Sequence, residues 1–236
     1  SVLEKELSPS APSRVKVLAI GPAGENLVRY ACAINEYYHC AARSGAGAVM
    51  GAKKLKAIAV RATGAIKVAR PEEFQEAVRG ARQRLGERER VVSVWGQQPD
   101  ITKEMLNIGC LPGKNFQTGV MPDWVDTRGL DIQRKYITRE LGTCHACPMS
   151  CFKGAEVKEG KYAGVRVSRG AHPGVILDFG AKCAINNIPA IWKCKQLCHQ
   201  LGMDYATVAG VISFAMELFQ RGIITKEDTD GLELTW

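Results

Sequence analysis

Apolar residues in the first part of the chain follow the spacing of strands. The segment Val15–Ile20 alternates toward a strand and ends at a turn cluster, residues 21–24, which contains two glycines and a proline. Residues 25–33 then predict a short helix or loop, and residues 56–60 predict a second, buried strand. This part of the chain is therefore expected to be β-rich.

After Gly64 the pattern changes to that of amphipathic helices. Pro71 and the two acidic residues after it predict a helix to about residue 85, because proline suits the first helical position and acids suit the first turn. We place a domain boundary at residues 69–71, which divides the chain into residues 1–69 and residues 70–236.

The second part is predicted to be mainly helical. One helix is expected to end near residues 141–142, and another, residues 190–201, follows an Asn-Ile-Pro sequence and closes at Gly202. Tyr205–Gln220 carries an apolar stripe and predicts a further helix. The expected fold class is α+β, with a β-rich region followed by a mainly α-helical domain.

Composition excludes several functional classes. The net charge of +8 is spread along the chain, with few aromatic residues near the basic groups, so we expect no nucleic-acid partner. No apolar run approaches the roughly 20 residues that a membrane span needs. The nine cysteines are odd in number and no signal peptide opens the chain, which indicates a reducing, cytoplasmic location. The ends predict a segment of a longer polypeptide, since residue 1 is not Met.

Three cysteines at C-x2-C-x3-C spacing are the strongest chemical signal: Cys144, Cys147 and Cys151. Closely spaced thiolates suit an iron–sulfur cluster, which usually takes four, so one ligand is missing locally. The alternative is structural zinc, but no second Cys pair of the usual kind follows. Cys183 is the internal candidate for a fourth ligand, whereas Cys194 and Cys198 are expected to line the packed face of a helix.

Two weaker signals lie on either side of this cysteine run. The glycine-rich residues 43–51 allow two interpretations, either tight packing or an approach of bare backbone to a phosphate or pterin with Arg43 supplying charge. They match neither a Walker loop nor a Rossmann fingerprint. His172, followed by Pro-Gly, is a candidate proton donor near neutral pH.

Several stretches in this order resemble the tungsten-containing aldehyde ferredoxin oxidoreductase family. They are residues 20–29, 43–60, the cysteine run, 201–204, 214–218 and 228–232. The resemblance covers nearly the whole chain, and it implies the end of a β-rich pterin-binding domain followed by much of a mainly helical domain. The family's full chains are much longer than this one.

The resemblance implies two cofactors, a tungsten or molybdenum bis-pterin and a [4Fe-4S] cluster. Cys144, Cys147 and Cys151 would hold the cluster, with the fourth cysteine in a carboxy-terminal domain that this sequence lacks. The implied pterin contacts are Arg43, Ser44, Gly45, Gly47, His199, Gly202, Met203 and Asp204. The implied activity is oxidation of an aldehyde to a carboxylic acid, with ferredoxin or an iron–sulfur subunit as the electron partner, in an oligomer.

Two positions depart from the family pattern. The pterin motif that ends at Asp204 normally begins with Asp, and His199 stands there instead. Acidic residues beside the metal are replaced by His172 and the Pro-Gly that follows. The pattern with His at this position is similar to that of the tungsten subunit of class II benzoyl-CoA reductases. This likeness implies that His172 would donate protons during reduction of an acyl-CoA. A noncatalytic, zinc-stapled interaction domain is the alternative from another class.

Overall fold

The computed structural model describes residues 15–35, 39–95, 100–122, 135–140, 147, 153–168 and 172–236. Its first part is a four-stranded antiparallel sheet of β1 (Val15–Ile20), β2 (Ala33–Asn35), β3 (His39–Ala41) and β4 (Ala57–Arg61), in the order β3-β2-β1-β4. Two short helices, α1 (Pro22–Glu25) and α2 (Ala46–Ala52), lie in the connections of this sheet. The expected fold class, α+β, is confirmed.

The burial predicted for residues 56–60 is wrong, although the strand is present. Ile58 is 46% exposed and Val60 is 53% exposed. The reason is tertiary: among the described strands, β4 pairs only with β1 and forms an edge of the sheet. An apolar run alone does not distinguish an edge strand from a central one.

The glycine-rich segment packs tightly, as one of its two interpretations predicts. A Cβ at Gly51 would collide with the carbonyl oxygen of Gly24, and one at Gly24 would lie 2.8 Å from the carbonyl oxygen of Gly47. Helices α1 and α2 therefore touch through their backbones. Only residues without a Cβ permit this approach.

The second part contains most of the helices. After α3 (Pro71–Trp95) and α4 (Asp100–Asn107) come two short segments, α5 (Gly113–Phe116) and α6 (Pro173–Val175). A π-helix (Ile176–Lys182), α7 (Ile188–Leu201) and α8 (Tyr205–Gln220) complete it. The helical geometry of α3 breaks at Gly86, whose φ is 38°, next to the predicted end at residue 85.

Helices α7 and α8 are capped by local sequence. The Asn187 side chain accepts a hydrogen bond of 2.9 Å from the Ala190 amide, and Pro189 lies in the first turn of α7. Gly202 ends α7 in the left-handed conformation, with φ 76°. The predicted ends of both helices are confirmed within two residues, because each depends on residues close by in sequence.

The main core lies between α7, α8, the π-helix and a three-stranded sheet. This sheet, in the order β5-β6-β7, comprises β5 (Ile137–Glu140), β6 (Lys153–Glu156) and β7 (Arg166–Val167). Trp192 is fully buried in this core and meets the Tyr136 ring edge-on, with centroids 5.2 Å apart. The helix expected to end near residues 141–142 is wrong, because residues 137–140 pair with β6 as a strand.

A left-handed turn within α5 packs on α8. Lys114, Asn115 and Phe116 all have positive φ, and the Asn115 amide nitrogen donates a 2.6 Å hydrogen bond to Glu217. This bond and Arg221 hold the pKa of Glu217 below its usual range. In the described part of the chain, no helix is long and apolar enough to cross a membrane.

Candidate cofactor site

The turn between α7 and α8 is held against the end of β1 by backbone contacts. A Cβ at Gly202 would lie 2.6 Å from the amide nitrogen of Gly21, so the two glycines touch. The Cys32 amide donates to the Gly202 carbonyl at 2.8 Å, and the Asp204 amide donates to the Tyr30 carbonyl at 3.1 Å. These contacts join the first sheet to the helical part and fix where Asp204 stands.

Asp204 is a buried carboxylate with one oxygen engaged. Its side chain is 3% exposed, and Oδ2 caps α8 by accepting from the Thr207 amide at 3.1 Å and the Thr207 hydroxyl at 2.6 Å. The Arg43 guanidinium lies 3.5 Å from the same oxygen. Among the described residues, Oδ1 receives no hydrogen bond. A buried carboxylate oxygen without a donor fits a ligand that presents N–H groups.

Arg43, which lies beside this carboxylate, and Gly45 belong to a left-handed stretch of backbone. Both have positive φ, 64° and 71°, and Ser44 lies between them at the start of α2. Gly47 follows with its amide donating to the Ala31 carbonyl at 3.0 Å. The Arg43 side chain is 67% exposed, so its guanidinium is available to an anionic group.

His172 lies near the turn between α7 and α8, and Tyr205 connects the two. The sequence did not single out Tyr205. The Gly174 amide donates to His172 Nδ1 at 3.0 Å, and the Tyr205 hydroxyl lies 3.2 Å from the Cβ position of Gly174. The rings of Tyr205 and His199 are 6.5 Å apart. Tyr205 is the first residue of α8, directly after Asp204, and this position was its only signal in the sequence.

Two cysteines that the sequence also missed face the same turn. The pKa of the Cys40 thiol is lowered to about 5, first by Cys32 and then by the imidazole of His199. The hydrogen bond to Cys40 and burial raise the pKa of the Cys32 thiol. No local spacing marks this pair, because a hairpin brings the cysteines together.

The structure describes only one of the three predicted cluster ligands. Cys147 is half-buried, whereas Cys144 and Cys151 lie outside the described residues, so the iron–sulfur assignment stays a prediction. Cys183 is a buried thiol that donates to the Ala209 carbonyl at 3.5 Å, and burial raises its pKa to about 12. A protonated core thiol is a poor ligand, because metals bind the thiolate.

The comparisons with known proteins agree with one another. The profile described as "Aldehyde ferredoxin oxidoreductase, N-terminal domain" matches residues 1–62, and the one described as "Aldehyde ferredoxin oxidoreductase, domains 2 & 3" matches residues 76–236. Because the matched residues include most of the chain, this protein belongs to the aldehyde ferredoxin oxidoreductase family.

Two relatives are tungsten-containing aldehyde ferredoxin oxidoreductases. That of Pyrococcus furiosus is 35% identical over 219 residues, which cover 91% of this chain and 35% of the relative. That of Thermococcus kodakarensis is 33% identical over 232 residues, which cover 97% and 36%. The chain thus spans about a third of the length of these relatives.

A solved structure is similar over almost the whole chain. It is the active-site complex BamBC of benzoyl coenzyme A reductase in complex with 1,5-dienoyl-CoA, with a TM-score of 0.62 and 25% identity. The match covers 98% of this chain and 36% of that one. The fold described above is therefore shared with a benzoyl coenzyme A reductase complex.

Proposed function

We propose that this chain is the pterin-binding and cluster-binding part of a tungsten oxidoreductase that converts aldehydes to carboxylic acids. The observation that carries the proposal is the Oδ1 atom of buried Asp204, which receives no hydrogen bond from the described residues and lies beside Arg43 and a left-handed backbone loop. This donor set suits a pterin, whose ring offers N–H groups and whose tail carries a phosphate. Residues 1–69 and 70–236 would be two domains that share the site.

Each residue of the site has a distinct task in this proposal. Asp204 receives pterin N–H groups at Oδ1 while Oδ2 stays engaged as the cap of α8. Arg43 and the backbone of Ser44, Gly45 and Gly47 bind the anionic part. Gly202 and Met203 place the turn, and His199 closes its edge beside Cys40. When bound, the tungsten pterin supplies two-electron oxidation and reduction, which is the cofactor's own chemistry.

Electron transfer would use the cysteine run. Cys144, Cys147 and Cys151 are the proposed ligands of a [4Fe-4S] cluster, with a further thiolate from outside this chain. Electrons would leave singly to ferredoxin or to an iron–sulfur subunit. The support for a ferredoxin partner is the 35% identity to a tungsten-containing aldehyde ferredoxin oxidoreductase.

The test is anaerobic production of the full-length protein, with metal analysis and a dye-reduction assay. We expect iron and tungsten, a broad brown absorbance, and aldehyde-dependent reduction of a viologen dye. Zinc alone in a colourless protein would instead identify a metal-stapled interaction domain and overturn the proposal.

Two variants separate the two cofactors. Asp204→Asn keeps an effective helix cap, so the free energy of unfolding should change by only a few tenths of a kcal/mol. Its pterin and tungsten content should fall at least tenfold with iron retained. Cys147→Ser should lose cluster iron, whereas the control Cys110→Ser, an exposed cysteine, should lose neither metal. Unchanged tungsten in Asp204→Asn would remove the assigned role of its carboxylate.

A second candidate function is reduction of an aromatic acyl-CoA. The likeness to the benzoyl coenzyme A reductase complex supports it, and so does the position of His172 near Tyr205 and the α7–α8 turn. In this reaction His172 would deliver protons as electrons run inward. Parallel assays with an aldehyde and with an aromatic acyl-CoA distinguish the two functions.

His172→Ala tests the proton-donor role. We expect kcat for acyl-CoA reduction to fall about 10²–10⁴-fold, the usual contribution of general acid catalysis. Tungsten and iron content should stay unchanged, because His172 is assigned no cofactor contact. His39→Ala is the matched control, since His39 lies in β3 of the first sheet. Full turnover in His172→Ala would exclude the role.

A further inference from the structure

An open cleft of about 500 Å³ lies between the loop that contains α5 and the loop that follows the π-helix. Lys114, Thr118 and Val120 line it from the first loop, and Ala184 and Asn186 line it from the second. Small-molecule sites in proteins have volumes of roughly 300–1,000 Å³. The cleft therefore has room for an organic ligand.

The cleft is separate from the turn that carries Asp204. Helix α8 begins directly after Asp204, whereas the first loop contacts α8 at Ser213 and Glu217. With a rise of about 1.5 Å per residue, these contacts lie roughly 14–20 Å along the helix from Asp204. A ligand in the cleft would thus occupy a second site.

Both walls of the cleft contain residues with a strained backbone. Lys114, Asn115 and Phe116 have φ of 48°, 54° and 66°, and Ala184 on the opposite wall has φ of 53°. The left-handed region is unfavourable for residues with a Cβ, least so for asparagine, and such residues concentrate at ligand sites. Two segments that are distant in sequence therefore place their strained residues around the same space.

The first wall is held in this conformation by its neighbours. The Asn115 side chain donates to Glu217 at 2.6 Å and accepts from the fully buried Ser213 hydroxyl at 3.2 Å. The Gly113 amide donates to the Thr118 carbonyl at 2.9 Å and closes the base of the loop. Because these bonds need no ligand, the wall is preorganised for binding.

Lys114 supplies the charge of the cleft. Among the described residues, no carboxylate lies within ion-pair distance of its ammonium group, and none of the residues that line the cleft is acidic. Lys182, at the end of the π-helix, is by contrast paired with Asp178 at 2.6 Å. The Thr118 hydroxyl is also engaged, because it donates to the Val120 carbonyl at 2.8 Å. An anionic ligand would therefore be bound through Lys114.

We propose that this cleft binds a small organic carboxylate, with its charge beside Lys114 and its apolar body against Val120, Met121 and Pro122. One ammonium group balances the single charge of a carboxylate, whereas a phosphate monoester carries close to two charges at pH 7. The three apolar residues line the same cleft. This site goes beyond the proposed oxidation of aldehydes and does not depend on it.

The first measurement is isothermal titration of the full-length protein with three probes of similar apolar body. They are 4-phenylbutyrate, its uncharged amide and phenyl phosphate. We expect the carboxylate to bind about tenfold more tightly than the amide, because a hydrogen bond to a charged group is the stronger one. Equal binding of acid and amide would refute the site. Tighter binding of phenyl phosphate would overturn the assignment to carboxylates.

Two variants assign the binding to this cleft. Lys114→Gln keeps the length of the side chain and should weaken 4-phenylbutyrate about tenfold, with binding of the amide unchanged. Val120→Trp should weaken both probes, because the indole occupies the space of the apolar body. Lys158→Gln, at an exposed lysine between β6 and β7, is the matched control and should bind as the wild type does. Unchanged affinity in Lys114→Gln would contradict the proposal.

A photoreactive probe locates the ligand without any variant. A diazirine-bearing hexanoate, irradiated with the wild-type full-length protein, should label peptides that contain residues 117–122 or 184–186. Excess 4-phenylbutyrate should suppress this labelling, and excess amide should not. Labelling confined to other peptides would exclude the cleft as the site, whatever the folding of the variants.

Discussion

Replacing Gly202 by Ala should destabilise the chain by about 2–5 kcal/mol. The left-handed conformation of this residue accounts for about 1–2 kcal/mol, and the collision of the new methyl group with Gly21 for about 1–3 kcal/mol more. The Gly202 carbonyl also accepts from Cys32, so relief of the collision would move the turn that carries Asp204. Urea unfolding followed by circular dichroism measures the loss.

Gly222→Ala is the matched control for this prediction. Gly222 also follows a helix with positive φ, 68°, but its chain neighbours apart, no described residue has an atom within 4 Å of its Cβ position. This variant should lose only the conformational term, about 1–2 kcal/mol. The difference between the two variants isolates the contact of Gly202 with Gly21. Equal losses of unfolding free energy in the two variants would show that Gly202 and Gly21 are not in close contact.

Trp192→Ala should have the other large effect, about 3–5 kcal/mol, because a fully buried aromatic side chain is removed from the main core. The edge-on contact with Tyr136 is lost with it. The free energy of unfolding at neutral pH measures the loss. Trp192→Phe should lose much less of this free energy, because it keeps a buried aromatic ring.

Phe214→Ala provides the comparison on α8. Phe214 is 55% exposed, so the change should stay within about 0.5 kcal/mol. If Trp192→Ala lost no more than Phe214→Ala, the core would be centred elsewhere. The pair thus tests the packing of α7 directly.

The ends of α7 were predictable because they depend on neighbours in sequence. Asn187, Pro189 and Gly202 lie within a few residues of the helix ends that they determine. The order of the strands in the sheet, in contrast, depends on residues that are distant in sequence. Residues 56–60 do not by themselves indicate whether β4 is an edge strand or a central strand. Residues 137–140 form a strand because β6 pairs with them, and β6 is separate from them in sequence.

The candidate site likewise contains residues that the sequence singled out and residues that it did not. The family resemblance implies Asp204 and Arg43 as pterin contacts, which stays a prediction, and the structure places the Arg43 guanidinium 3.5 Å from the Asp204 carboxylate. Cys40 and Tyr205 were missed, because their importance comes from His199 and Gly174, which are distant in sequence from Cys40 and Tyr205 respectively. Chemistry that depends on a tertiary neighbour leaves no spacing pattern to recognise.

The contact between Gly21 and Gly202 has a consequence for how this protein can change by mutation. Both surfaces are main chain, so no smaller side chain on the opposite element can make room for a larger residue. A substitution at either glycine therefore has no compensating point mutation at the other. In a library that varies every position once or in pairs, both glycines should remain fixed among the folded clones, and only a change of loop length would release them.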